Sequence, residues 1–385
     1  MKEYLLSIAL IVTILCFSSP LFASQTKTVV VLSGDIGGTN ARLRLSQFKN
    51  GEKSVLANKT YKVAEHDSIV EVIRLFLSES NYDATAIKSI CFAVAGPIKN
   101  NKVKVTNSKW SIDAKQLKAD LKIPNIKLIN DFEAIGYGIE TLTDKDLYLL
   151  QKGAPEKNGV RAFLGAGTGL GVGFATFDGS QYVVHPTEGG HTSFAPTDGL
   201  QIDILKYMHK KYNIDISTER LLSGPGIEDI YYYLRDINPF KYIENEQLKK
   251  SLKDNSKNAS KIITDFALEH PDDQMASKTI ETFVNIYGAK SGDLAFTLMP
   301  HGGLYVVGNI AVKILTKPPF DKNFMLAFSN KDKVSYVLKD IPVWVVLNTE
   351  VGLQGTENYA FKSTLALVSK TDSNSNQQGQ EKTEL

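Results

Sequence analysis

The chain reads as an α/β protein, and three observations predict it. Strand-like and helix-like runs alternate along most of its length. A strand, a glycine-dense loop and a second strand recur in both halves, around residues 29–48 and 162–175. The 385 residues, 43% of them hydrophobic, can fill two cores. That internal recurrence predicts two similar domains facing one cleft.

The N-terminus stands outside this pattern. Residues 5–17 are almost wholly apolar, with Lys2 before them and a small-residue stretch ending at Ala23 after them. This reads as a secretory signal cleaved after Ala23, although Glu3 offsets Lys2 and Leu21 is bulky for its place before the cut. The apolar run is shorter than the ~20 residues of a spanning helix. Residues 1–24 are thus read as a signal-like leader or membrane anchor, or as an artefact of start-site choice. Membrane association through residues 5–17 is the anchor reading.

The first glycine loop follows the apolar run Val29 to Leu32. It spells Gly34-Asp35-Ile36-Gly37-Gly38-Thr39-Asn40-Ala41-Arg42, and Leu43, Leu45 and Phe48 alternate after it. A hairpin turn lined with backbone N–H groups binds anions, and a carboxylate among them can hold a magnesium–phosphate unit. A second loop of this design is Gly165-Ala166-Gly167-Thr168-Gly169-Leu170-Gly171. Either loop alone could be an ordinary turn that needs positive φ. Together they suggest a nucleotide gripped from both sides, which points to phosphoryl transfer. No G-x-x-x-x-G-K-[ST] occurs, which excludes a Walker site. The second loop does not fit G-x-G-x-x-G and leads into a strand, which argues against a Rossmann site.

Between and beyond the loops, Ile69, Val72, Ile73, Phe76 and Leu77 recur at helical spacing and predict an amphipathic helix. Residues 90–95, 102–106, 126–129 and 182–184 read as strands, and 203–212 as a helix. Gly224-Pro225-Gly226 is expected to break the chain before a helix at 228–234. Residues 238–260 are polar and lysine-rich, a surface insertion on this reading. A long helix at 279–298, strands at 303–308 and 341–347, and a helix at 353–365 complete the order. Residues 369–385 have no apolar face and read as a disordered tail.

Composition removes several function classes. The net charge of +2 comes from scattered lysines, so there is no footprint for nucleic acid. The two cysteines, Cys16 and Cys91, form no disulfide framework, and no Cys/His cluster has zinc spacing. Cys91 lies in an apolar run and is expected to be a buried, inert thiol.

Several segments resemble the bacterial glucokinases of the hexokinase superfamily: GDIGGTNARL, FAVAGPI, LINDFEAIGYGI, GAGTGLGVG, EGGHTSFAP, ERLLSGPG and GGLYVVGNI, in that order over nearly all of residues 29–365. The resemblance implies a two-domain actin-like ATPase (ribonuclease H-like) fold with a cleft between domains. Residues 25–141 plus 348–368 would form a small α/β domain, and 142–347 a large one. It implies phosphorylation of D-glucose to glucose 6-phosphate with ATP and Mg²⁺, and a homodimer is among the expectations. The cysteine-rich zinc motif and helix-turn-helix extension of the ROK sugar kinases and repressors are absent from the sequence.

Residue chemistry stands beside this resemblance. Transfer to a sugar hydroxyl needs a base, a metal bridging phosphates and donors for the moving charge. Asn130-Asp131 follow a strand end, where α/β ligand sites lie, and also suit a helix cap before Phe132. The residues alone leave both readings open; the resemblance assigns Asp131 as general base on the 6-hydroxyl and Asn130 as a sugar ligand. Glu188 and His191, separated by two glycines, could face one ligand, or simply form a surface loop. A metal pair is rejected because no third ligand is in view. Glu219 matches the family's third sugar carboxylate and would otherwise read as a solvated residue. The implied nucleotide set is Gly34, Asp35, Ile36, Gly37, Gly38, Thr39 and Asn40, with Gly167, Thr168 and Gly169 from the second loop and Gly308 beyond. Asp35 would hold Mg²⁺, through water. Asn309 departs from the family's usual second glycine, and an asparagine there would have to tolerate positive φ.

Two other readings stand beside the kinase for glucose. One is a kinase for another hexose. The other is a non-catalytic, membrane-associated sugar-binding protein, which the leader motivates. Dependence on ATP favours the cytoplasm or a cytoplasm-facing anchor, whereas the leader points to a membrane or to export.

Overall fold

The computed structural model describes residues 28–237 and 242–381, with side chains described as far as Leu367. The leader at 1–24, including its cleavage and membrane readings, lies outside the described residues. Among the described residues, no helix is long and apolar enough to cross a membrane.

The first half is built from β1 (Thr28–Ile36), β2 (Asn40–Lys49), β3 (Glu52–Lys62), α1 (Ile69–Glu79), β4 (Ile87–Val94), β5 (Lys102–Lys104), β6 (Ser111–Asp113), α2 (Ala114–Leu121) and β7 (Asn125–Asn130). Its sheet has the order β3-β2-β1-β4-β7; β1, β2 and β3 pair antiparallel, while β4 and β7 run parallel to β1. Residues 29–34 of β1 are all buried, as expected of a central strand covered on both faces. β3 went unread in the sequence because it is an exposed, lysine-bearing edge strand whose polarity hides its pairing. α1 buries Ile69, Val72, Ile73, Phe76 and Leu77, the stripe its spacing predicts.

α3 (Asp131–Ile139) then leads into β8 (Leu147–Gln151), β9 (Arg161–Ala166), β10 (Leu170–Phe177) and β11 (Tyr182–Thr187). The helices α4 (Gly199–Tyr212), α5 (Gly224–Ile237), α6 (Glu246–Asp254), α7 (Ala259–Glu269) and α8 (Gln274–Leu298) follow. After them come β12 (Leu304–Val306), α9 (Asn309–Leu315), α10 (Phe320–Ser329), β13 (Val343–Val346) and α11 (Val351–Glu381). The second sheet has the order β11-β10-β9-β12-β13-β8. β9, β10 and β11 pair antiparallel and β12 and β13 run parallel to β9, so the first sheet's pattern recurs.

Three expectations are corrected. Gly224-Pro225-Gly226 does not break the chain; it is the first turn of α5, where a proline's missing N–H has no intrahelical partner to lose. The stretch 238–260 is not merely a surface insertion: residues 238–241 lie outside the described residues, but α6 buries Leu248 and Leu252 in the large core. An i,i+4 leucine pair among lysines is enough to dock a short helix. The closing helix does not end near residue 365, since its backbone continues to Glu381; the tail's side chains lie outside the described residues.

α3 and α11 join the two halves. Ala134 and Ala360 pack on the first sheet with Val31, Cys91 and Ile129. Ile139 and Val351 pack on the second with Phe163, Tyr305 and Val346. Cys91 is fully buried, and burial pushes its thiol pKa well up.

Candidate active site

The two glycine loops face a cleft between the sheets. In the first, Gly37 N–H donates to the Asn40 carbonyl at 2.9 Å, closing the β1–β2 turn. Asp35 sits opposite Arg42 across this hairpin. Its carboxyl opens onto the cleft, yet the surrounding walls thin its hydration and raise its pKa; Arg42 opposes that shift and Asp131 adds to it. Gly34 and Ile36 are buried within β1, whereas Thr39 and Asn40 are exposed and Gly37 and Gly38 half-buried at the turn.

In the second loop, Gly167 N–H donates to the Gly169 carbonyl at 2.8 Å. The loop is tied from behind. Gly224 N–H at the start of α5 donates to the Gly167 carbonyl at 2.8 Å, and the buried Tyr287 hydroxyl of α8 accepts the Ala166 N–H at 3.1 Å. Thr168 is left at the cleft wall.

Asn130 and Asp131 sit at the end of β7 and the start of α3, the strand end at which ligand sites form in parallel sheets. The helix-cap reading is realised, and the pair also lines a cavity. Asn130 Oδ1 caps α3 by accepting the Phe132 and Glu133 N–H groups at 2.7 and 3.3 Å. Asp131 Oδ1 accepts the Phe132 N–H at 2.9 Å while its side chain lines the cleft. Burial raises the Asp131 pKa; the Phe132 N–H and the Asn130 side chain lower it, and the charge on Glu188 raises it further.

Glu188, His191 and Glu219 come together across the second sheet's mouth. His191 stands between the carboxylates, with Nε2 3.8 Å from Glu188 Oε2 and Nδ1 3.8 Å from Glu219 Oε1. These separations exceed hydrogen bonds, so each group can turn to a ligand. Glu219 Oε2 also accepts the Leu170 N–H at 2.8 Å. The glycines between Glu188 and His191 have a tertiary reason as well: a Cβ on Gly190 would come within 2.0 Å of the Leu170 carbonyl oxygen. On the far side, Lys290 of α8 donates to Thr192 Oγ1 at 2.6 Å.

Two adjoining cavities, of about 330 and 220 Å³, share Asp131, Ile135, Val307 and Gly308. The larger has Asn130, Thr168, Glu188 and Glu219 in its wall. The smaller brings together Asp35, Arg42, Asn348, Thr349 and Glu350. The last four were missed from sequence. Arg42 closes the first motif and its charge was a usable signal, but the 348–350 segment carries no motif and arrives only through folding.

A third cavity, of about 290 Å³ and mostly apolar, lies between α5, α7 and α9, lined by Ile227, Ser260, Thr264, Asn309 and Ile310. Asn309 also lines the Asp35 cavity, so the two are neighbours. Asn309 is not required to take positive φ: Gly308 takes it, at +97°, and Asn309 begins the α9 helix. The glycine needed for the turn is therefore present one residue earlier. Among the described residues, no group of three or more His, Cys, Asp or Glu side chains is arranged to hold a metal by itself.

Comparison with known proteins follows the same lines. The family model "Glucokinase" matches residues 32–363. A glucokinase of Trichormus variabilis is 40% identical over 334 residues, covering 85% of this chain and 97% of the relative. A Synechocystis glucokinase is 37% identical over 350 residues, covering 86% and 98%. Among solved structures, a glucokinase from an Antarctic psychrotroph superposes with a TM-score of 0.72 at 27% identity, covering 86% of this chain and 99% of that one. A Streptomyces griseus ROK-family glucokinase, solved with glucose and AMPPNP, is similar in fold alone, with a TM-score of 0.56 at 19% identity. The sheet pattern repeated in both halves is that of the actin-like ATPase fold. With its family match spanning both glycine loops and the carboxylates Asp131, Glu188 and Glu219, the chain belongs to the glucokinase family.

Proposed function

We propose that the protein transfers the γ-phosphoryl group of ATP to the 6-hydroxyl of D-glucose. The observation that carries this reading is the meeting of Asp131, Glu188 and Glu219 with Thr168 in one cavity, beside a second cavity holding Asp35 and Arg42. A sugar in the larger cavity places hydroxyls against groups of both kinds: Glu188 and Glu219 accept and the Asn130 amide donates, with His191 standing between the two carboxylates. The relatives' names and the glucose-bound Balamuthia mandrillaris glucokinase, similar in fold at 21% identity, support glucose as the ligand.

Asp131 acts as general base. As the glucose oxygen forms its bond to the γ-phosphorus, the hydroxyl O–H bond breaks and its proton passes to the Asp131 carboxylate. The bond from phosphorus to the β,γ-bridging oxygen breaks, and ADP leaves. A pKa raised by burial makes the Asp131 carboxylate a stronger base. The Gly37 and Gly167 N–H groups close their own turns, and the backbone N–H groups of Gly38 and Thr39, with those of Thr168 and Gly169 opposite, supply donors for the phosphates. Arg42 adds a fixed positive charge beside Asp35. The apolar cavity between α5, α7 and α9 suits the nucleotide base.

Asp35 and Asp131, two acids facing neighbouring cavities, fit a cation carried in with the nucleotide, and Asp35 would hold Mg²⁺ through water. A magnesium ion held there would supply positive charge to offset that of the phosphates. Water competes with the sugar as acceptor, so closure of the cleft on glucose is the expected defence. Use of ATP favours action on the cytoplasmic side.

The test is a coupled assay of purified protein with Mg-ATP and a panel of hexoses. Glucose-dependent ADP release, lost in Asp131→Ala while calorimetry still detects glucose binding, is the expected result. Preference for mannose, fructose or an amino sugar would move the substrate; glucose binding without turnover would replace the kinase by a sugar-binding protein.

A further inference from the structure

A line of alternating charges runs from the interior to the wall of the Asp35 cavity. Glu357 of α11, 1% exposed, takes Lys53 at 3.2 Å, the Ser46 hydroxyl, and Arg44 Nη1 at 3.5 Å. Arg44, itself 5% exposed, donates through Nη2 to Glu350 Oε2 at 2.7 Å. The other oxygen of Glu350 lies 3.7 Å from Nη1 of Arg42. Arg42 stands opposite Asp35 in the hairpin register, and both it and Glu350 line the cavity. The Glu350 backbone is held too, its N–H donating to Asn348 Oδ1 at 2.9 Å.

These contacts divide the work between the two oxygens of Glu350. One is anchored by a buried guanidinium in a short charge-assisted bond. The other is thereby set at a defined point beside Arg42, a long side chain that is 42% exposed and free to take many rotamers. The looser 3.7 Å contact leaves Arg42 able to give its N–H groups to an anion in the cavity. Glu350 also sits between β13 and α11, on the segment where the chain passes from the second sheet back to the first.

We propose that Glu350 is a positioning residue: it holds the Arg42 guanidinium on the wall of the Asp35 cavity, facing the phosphoryl group in transit. The inference rests on the kinase reading only in requiring the nucleotide's phosphates to reach this cavity. Without Glu350, Arg42 would keep its charge but lose its place. The loss belongs to the transition state and the triphosphate more than to glucose.

A double-mutant cycle on the full chain separates this from a merely structural role: Glu350→Gln, Arg42→Ala and the pair, assayed with Mg-ATP and glucose. Glu350→Gln is expected to lower kcat about tenfold, leave the KM for glucose within about twofold, and cause no further loss when Arg42 is already Ala. The same cycle is read by calorimetry with a non-hydrolysable ATP analogue, where Glu350→Gln should weaken binding only while Arg42 is present. Equal losses in both backgrounds, or no effect of Glu350→Gln on kcat and analogue binding, would overturn the proposal. A wild-type protein without turnover would count against the kinase reading alone, because the binding cycle still decides the role of Glu350.

Discussion

Glu219 Oε2 accepts the Leu170 backbone N–H at 2.8 Å, so a carboxylate expected to hold sugar also fixes the exit of the second glycine loop. Its other oxygen faces His191. The residue thereby ties the wall proposed to take the sugar to the loop proposed to take the phosphates. Glu219→Ala should raise the KM for glucose and also lower kcat, because both sides lose a support. Glu219→Gln keeps an oxygen for Leu170 and should restore much of kcat while KM stays high. A hydrogen bond involving a charged group is worth about 1.5–3 kcal/mol, so the Ala loss in kcat/KM should be roughly 10- to 100-fold in steady-state assays.

The acid limb of the pH–rate profile should lie above the ordinary carboxylate value of about 4, because the base must be ionised and its pKa is raised. Glu188 contributes to that rise through its negative charge. Glu188→Gln removes the charge, makes Asp131 easier to ionise, and should shift the acid limb of kcat to lower pH. An unmoved limb would mean that a different group titrates.

Asp35 should trade stability for function. A raised carboxyl pKa means that the folded state holds the proton more tightly than the unfolded chain, so stability falls as pH rises above about 4, the unfolded value. Asp35→Asn removes that cost. Near neutral pH the variant should unfold at a higher temperature than the parent and have little kinase activity. The gain should vanish in acid, below the unfolded pKa, where both proteins carry a neutral side chain.

The α3–α11 crossing tolerates no side chain at two points. A Cβ on Gly138 would approach the Val351 carbonyl oxygen to 2.0 Å, and one on Gly355 the Ala134 carbonyl oxygen to 1.7 Å. Gly138→Ala should cost about 1–3 kcal/mol through overpacking, read as a lower urea midpoint with an unchanged slope. Gly199→Ala, where nothing lies within 4 Å of the added atom, should change stability by about 0.5 kcal/mol or less.

Part of the candidate site could be read along the chain. The two glycine loops carry their chemistry within a few contiguous residues, whereas Asn130-Asp131 and the Glu188-to-His191 segment were visible as candidates whose roles came from the family resemblance. Glu219 was legible only through family resemblance, since Thr218-Glu219-Arg220 forms a short 3₁₀ turn with no signal of its own. Glu350 gave no signal at all. Elements that are polar by composition, such as β3 and α6, were hidden because an exposed edge strand and a two-leucine helix leave little periodicity.

The sequence by itself determined the two hairpins, the long helix α8 and the buried stripe of α1, because periodicity, capping and backbone freedom act over a few neighbouring residues. Tertiary structure alone decided that His191 meets Glu219, that Glu350 lies between Arg42 and Arg44, and that α3 and α11 touch backbone to backbone. Those meetings join segments far apart in the chain, and what selects them is the packing of two repeated sheets about one pair of helices.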